Sequence, residues 1–195
     1  MPPAYPGRRR GKLVIIAAPS GSGKTTVARE IMKLNPLLAF SVSATTRTVR
    51  PGEVEGKDYF FLSREEFKRG IEADEFVEWE ELYGNYYGTL KREVDRVLDR
   101  GQHLLFDVDV NGGLSIKRQY PDVLTIFIGP RSMEVLRTRL QKRGTESNAT
   151  MKSRLARVPM EFEKGDGFDH QIVNDVLSQT VEEVQKIVQT HINKE

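Results

Sequence analysis

The residues from Ala18 to Thr26, APSGSGKTT, have the types and spacing needed to wrap main-chain N–H groups around phosphate oxygens. Gly21 and Gly23 let the backbone curl inward, Lys24 has the reach for β- and γ-phosphate oxygens, and the Thr25 hydroxyl is a ligand for Mg²⁺. Ala18, Pro19, Ser20, Ser22 and Thr26 complete this triphosphate-binding stretch. The pattern Gly, four residues, Gly-Lys-[Ser/Thr] is met with Ala18 in place of the first glycine, which is tolerable where that backbone stays at negative φ. A glycine-rich turn without a ligand is the alternative. The loop alone specifies a chemistry of phosphates and no substrate.

A second set of groups points the same way. Arg47 and Arg50 lie three apart with Tyr59 downstream, and planar guanidinium forks with phenol donors suit another phosphate. With the first phosphate site taken by a nucleotide, the implied acceptor itself carries phosphate. Glu78 is placed to read a base, because a carboxylate accepts from the N–H edge of guanine and meets an unfavourable acceptor on adenine. Asp107 and Asp109 end an apolar run, where a strand tip beside a phosphate loop can hold Mg²⁺ or substrate. Asp109 capping a loop, and Tyr59 and Tyr87 as ordinary packed aromatics, are the simpler alternatives. Trp79 reads as packing, and His103, His170 and His191 share no metal-ligand spacing.

These groups must be positioned by alternating elements. LVIIAA is β-branched and short, as expected of a buried parallel strand, and the helix behind the loop stops by Asn35-Pro36. Ala39 to Ala44 is predicted as the second strand. Tyr59 to Leu62 is predicted as another, and Ser63 with Glu66 forms a capping box for a helix to about Ala73. FVEWEEL alternates as a half-exposed strand does, with Gly84-Asn85 turning before YYGT. Lys91–Arg100 is predicted helical and His103–Val108 a buried strand, with Gly112-Gly113 leading into a helix to about Gln119. Then come a strand over Leu124–Ile128 and a helix over Ser132–Lys142, with Val135, Leu136 and Leu140 inward. Met151–Glu163, carrying Lys152, Arg154 and Arg157, is a second basic helix, and the pair suggests either a mobile lid or a solvated hairpin. Pro159 should kink or shorten it. Gln171–Val173 and Thr180–Ile192 close the chain as strand and helix. The order implies an α/β fold with a parallel doubly wound sheet.

The 195 residues are 38% hydrophobic and 30% charged with net charge +2, which fits one globular domain and does not favour a nucleic-acid partner. No apolar run approaches a membrane span, no secretory signal is visible, and there is no cysteine, which suits a reducing cytoplasm. Residues 1–11, with an Arg8-Arg9-Arg10 triplet among prolines, read as a flexible solvated tail.

APSGSGKTT, SVSATTRTVRPGEVEGKDYFF, GNYYGT, FDVDVNGG and RGTES, in this order, resemble guanylate kinases from Lys12 to the final helix. The resemblance implies a P-loop NTPase three-layer sandwich with a mainly parallel sheet (12–44, 90–136 and 164–195), a small β-rich GMP-binding insertion (45–89) and a helical lid (137–163). It implies Mg²⁺-dependent transfer of the ATP γ-phosphate to GMP, and also to dGMP, in the cytoplasm without nucleic acid or membrane. Residues 18–26 would bind ATP. Ser43 and Glu78 would contact guanine; Arg47, Arg50, Tyr59 and Tyr87 would hold the GMP phosphate with Gly88 and Thr89 alongside. Asp107 and Asp109 would close the GMP site, Asp109 toward the nucleoside and Asp107, with Thr25, facing the metal. Arg139, Arg143 and Arg154 would come from the lid and act in catalysis with Lys24, Arg47 and Arg50. Asn111, where a glutamine is frequent in the family, and Pro159 depart from the pattern. Domains of this kind that have lost ATP chemistry serve as binding modules, but Lys24, Thr25 and both acceptor-side arginines are intact. The Asn-Lys-x-Asp guanine motif of GTPases does not occur.

Overall fold

The computed structural model describes residues 10–19, 21–82, 84–142 and 148–194, with backbone alone over 139–142 and 148–154. In chain order the elements are β1 (Leu13–Ala17), α1 (Lys24–Leu34), β2 (Leu38–Phe40), β3 (Ala44–Thr45), β4 (Phe60–Phe61), α2 (Arg64–Glu72), β5 (Phe76–Leu82) and β6 (Asn85–Leu90). They continue with α3 (Lys91–Leu98), β7 (His103–Asp107), α4 (Val110–Gln119), β8 (Leu124–Gly129), α5 (Met133–Lys142), α6 (Asn148–Gly165), β9 (His170–Val173) and α7 (Leu177–Asn193).

Five strands form a parallel sheet in the order β2-β7-β1-β8-β9. β1 is central, and all five of its residues are buried because both faces are covered. The two-residue period divides the core. Leu13, Ile15 and Ala17 face α3 and α4 through Val94, Val97 and Ile116, while Val14 and Ile16 face α1 and α7 through Val27, Ile31, Val184 and Val188. Helix, sheet and helix therefore make three layers. No helix among the described residues is long and apolar enough to cross a membrane.

A second, mixed sheet runs β4-β3-β6-β5. Its core is Ala44, Phe67, Phe76, Tyr86 and Leu90, with the Phe67 ring of α2 stacked against Phe76 at 4.3 Å and Tyr86 at 5.3 Å between centroids. The Ser63 hydroxyl and the Glu66 carboxylate cap α2 reciprocally as the sequence predicts.

Three expectations need correction. The single strand predicted over 39–44 is two strands in two sheets. β2 ends at Phe40, the Ser41 N–H makes the last bond to the core sheet at Leu105 O (2.9 Å), and Ala44 pairs with Phe60 and Gly88 in the second sheet. Continuous hydropathy marks the run as extended but does not identify its partner. Second, α4 begins before Gly112-Gly113, at Val110, because Asp109 caps it by accepting from Gly112 N–H at 2.8 Å. The glycines are packing requirements: a Cβ on Gly113 would lie 2.8 Å from the Phe168 ring. Third, Pro159 does not shorten α6, which spans 18 residues through it. Pro159 is exposed, and packing of Val158 on Leu136 and of Phe162 on Phe127 holds the helix on both sides of the missing N–H.

Candidate functional site

β1 ends in the middle of the sheet, so the loop after it emerges between the carboxyl ends of β7 and β8, where open α/β sheets bind ligands. Ala18 is buried without strain, the only described non-glycine residue at positive φ being Asp74. Gly21 and Gly23 both sit at φ 90°, and Gly23 is the N-cap of α1. A Cβ on Gly23 would lie 2.5 Å from the Asn174 amide nitrogen, which donates to Ser22 O at 2.7 Å and fixes the loop from beyond β9. The Thr26 N–H closes the first turn onto Gly23 O at 3.0 Å.

Lys24 opens α1, and its Nζ donates to Val108 O at 2.8 Å and pairs with Asp107 Oδ1 at 2.5 Å. The other Asp107 oxygen accepts from Thr25 Oγ1 at 3.0 Å. The register that pairs Ile16 with Asp107 brings these groups together at the sheet's carboxyl edge. Thr25 and Asp107 offer two hard oxygen donors, and no group of three or more His, Cys, Asp or Glu side chains that could hold a metal exists among the described residues. Such a donor set fits Mg²⁺, which keeps waters and phosphate oxygens in most of its positions, better than a cation needing a full protein cage.

Across a cavity of about 210 Å³ stands the second sheet. Lys24, Asp107 and Asp109 line the cavity from the core, and Ser43, Tyr59, Glu78, Tyr87 and Gly88 line it from the chain between β2 and α3. Cavities of 660 and 520 Å³ lie at the opposite end of the sheet beside His191 and Lys194. The smaller cavity is the one that adjoins Lys24 and the carboxyl ends of β1 and β7.

Arg47 makes a two-pronged bond to Glu53, with Nη2 to Oε1 at 2.7 Å and Nη1 to Oε2 at 3.1 Å, and its guanidinium lies 5.2 Å from the centre of the Tyr59 ring. The Glu53 carboxylate also accepts from Arg50 N–H at 2.8 Å, and the Arg47 bond holds its pKa below the usual range. Arg50 is exposed, so Glu53 connects the two arginines. Tyr59 and Tyr87 meet edge to face at 6.3 Å, and burial raises the Tyr59 phenol.

Glu78 accepts from the buried Thr89 Oγ1 at 2.7 Å. Burial pushes its carboxyl up to about 7, with the nearby Asp109 adding to the rise. Gly88 is needed for a reason apart from any ligand, since a Cβ there would lie 2.8 Å from Glu78 O on the paired strand.

Residues 10–191 match the family model described as guanylate kinase. The chain belongs to the guanylate kinase family. It is 50% identical to "Guanylate kinase" of Porphyromonas gingivalis over 94% of this chain and 99% of that one. It is 45% identical to "Guanylate kinase" of Symbiobacterium thermophilum over 94% and 87% of the two chains. A crystal structure of guanylate kinase from Anaplasma phagocytophilum superposes with a TM-score of 0.76 at 32% identity, covering 96% of this chain and 89% of that one.

Most predicted site residues of this guanylate kinase-family chain converge on the cavity or its two flanks. Thr89 reaches it through Glu78, and Arg47 and Arg50 meet at Glu53 beside Tyr59. Ser20 and Arg143 lie outside the described residues, as do the side chains of Arg139 on α5 and Arg154 on α6. Asp109 both caps α4 and faces the cavity, so its two readings are compatible. Glu53, Glu80, Arg157 and Asn174 were not among the predicted site residues. Glu80 was accessible to the period-two rule, which puts it on the same face as Glu78, and Glu53 sits three residues after Arg50 within the quoted motif. Asn174 and Arg157 meet their partners across 152 and 48 to 77 residues, beyond any local signal.

Proposed function

We propose that this chain transfers the γ-phosphoryl group of ATP to GMP, giving ADP and GDP, with dGMP as a further acceptor. The observation that carries the reading is one cavity with Lys24 in its core wall, Tyr59 in the facing wall with Arg47 stacked behind it, and a half-buried carboxylate, Glu78, beside them.

Residues 18–26, with the positive end of α1 and Lys24, would bind and neutralise the donor's phosphates. Arg47 and Arg50, with Tyr59 and Tyr87, would hold the acceptor phosphate so that one of its oxygens lies in line with the γ-phosphorus. No general base is needed, because a monoester phosphate with a second pKa of about 6 is already largely ionised near neutral pH. Ser43 and ionised Glu78 would accept from the N–H edge of guanine, and adenine would leave Glu78 facing an acceptor. Gly88 and Thr89 shape that edge, and Asp109 would lie toward the nucleoside.

Thr25 and Asp107 would hold Mg²⁺, which when bound supplies positive charge to the phosphate oxygens. Residues 45–89 would form the acceptor-binding insertion and 137–163 a lid bringing Arg139, Arg143 and Arg154 to the transferred group and excluding water. A cytoplasmic setting completes the reading.

The test is ADP release from ATP and Mg²⁺ with GMP, AMP, CMP and UMP offered in turn. Turnover with GMP far above the other three is expected. An enzyme inert toward GMP refutes the proposal.

A further inference from the structure

The cavity wall is rich in carboxylates. Glu78, Glu80, Asp107 and Asp109 all line it, and the mononucleotide of the proposed function would add a phosphate of its own. Asp107 is paired with Lys24. Among the described residues, the cation within ion-pair distance of Glu80 and of Asp109 is Arg157, which takes no part in the mechanism above. One nitrogen, Nη2, donates to both, at 3.1 Å to Glu80 Oε1 and 3.0 Å to Asp109 Oδ2. Its Nε lies 3.8 Å from Glu161, one turn further along α6.

The three partners belong to different parts of the fold. Asp109 caps α4 through its other oxygen and so stays anchored to the core if Arg157 is lost. Glu80 has no such cap: it sits on β5, the edge strand of the second sheet, and its carboxyl is held between the Arg157 guanidinium and the Asp109 carboxyl. Without the guanidinium the two acids face each other with no cation between them, and β5 keeps its tie to α4 through Gln119 and Val77 O but loses the charged one beside Glu78. Glu78 lies two residues earlier on the same face of that strand.

We propose that Arg157 is a positioning residue for acceptor recognition, tying the edge strand that carries Glu78 to the capped end of α4 and balancing the carboxylates of the acceptor wall. The inference rests on the guanylate kinase reading and gives a residue of α6 a role in reading the base.

The chain's one tryptophan, Trp79, lies between Glu78 and Glu80 and is 47% exposed, so its fluorescence reports β5 without turnover. In Arg157→Met, KM for GMP and the Kd for GMP from Trp79 fluorescence should each rise about tenfold, the scale of a lost charged hydrogen bond. The preference for GMP over AMP should fall in parallel, with kcat and KM for ATP within about threefold of wild type. Arg157→Lys, which keeps the charge but not the planar fork, should recover part of the loss. If Arg157→Met does not fold, Glu80→Gln carries the test, with KM for GMP expected to rise about threefold and KM for ATP unchanged. Active wild type beside variants whose GMP constants stay within twofold, or whose ATP and GMP constants shift alike, overturns this inference alone. Wild type inert toward GMP overturns the functional reading and this inference with it.

Discussion

Glu78→Gln should make the empty protein more stable and the enzyme worse. The Glu78 carboxyl is raised from 4.5 to about 7, burial being the largest cause, so the folded chain binds this proton more tightly than the unfolded chain. Its stabilising contribution is fully present below pH 4.5 and is lost as pH rises to about 7, where the buried group ionises. The full rise corresponds to at most about 3 kcal/mol, and the partial exposure of the side chain reduces this to about 1–2 kcal/mol. Glutamine keeps an acceptor for Thr89 Oγ1 and never ionises. At pH 8 the variant should therefore melt about 3–6 °C above wild type, and at pH 5 close to it. Thermal denaturation followed by circular dichroism at the two pH values checks this. The same substitution presents an amide N–H₂ to guanine donors and should lower kcat/KM for GMP by about a hundredfold. In wild type, kcat/KM for GMP should fall about tenfold between pH 8 and pH 6 as Glu78 takes up its proton. A melting difference equal at pH 5 and pH 8, or a glutamine variant with unchanged preference for GMP over AMP, refutes this account of Glu78.

Three further outcomes are expected. Lys24→Ala should abolish turnover while GMP binding, followed by Trp79 fluorescence, stays within about threefold; activity within tenfold of wild type removes Lys24 from the chemistry. Arg47→Lys, which cannot reproduce the two-pronged bond to Glu53, should raise KM for GMP about tenfold and leave KM for ATP unchanged in steady-state kinetics. Gly88→Ala should lower stability by about 1–3 kcal/mol, read from urea denaturation, because its Cβ would meet Glu78 O at 2.8 Å; a neutral result would mean that β5 and β6 separate freely.

The parts of this molecule legible in its sequence are those whose physics is local. The phosphate loop needs two glycines, a lysine and a threonine at fixed offsets, and β1 announces burial on both faces by having no polar residue. The capping box at Ser63 and Glu66 is likewise complete within four residues. What escaped is decided by distant partners. The chain between Phe40 and Ala44 changes sheets because Leu105 ends one ladder and Phe60 starts another. Gly112 and Gly113 look like a helix-breaking pair until Glu78 and Phe168 are seen against them. The site divides in the same way. Lys24, Arg47 and Glu78 follow from motif chemistry, whereas the hold of Asn174 on the loop and of Arg157 on Asp109 exists only after folding.

Lys24 and Arg47 both have a carboxylate partner within the chain, Asp107 for one and Glu53 for the other. A phosphate oxygen arriving at either cation therefore enters an exchange, displacing or sharing an anion already in place. The energy gained is the difference between two ion pairs, which is much smaller than the attraction of a bare charge. Under the proposed function, a site built this way would resist casual occupation by stray anions, and the internal carboxylate would be at hand to take the cation back when the charged product departs.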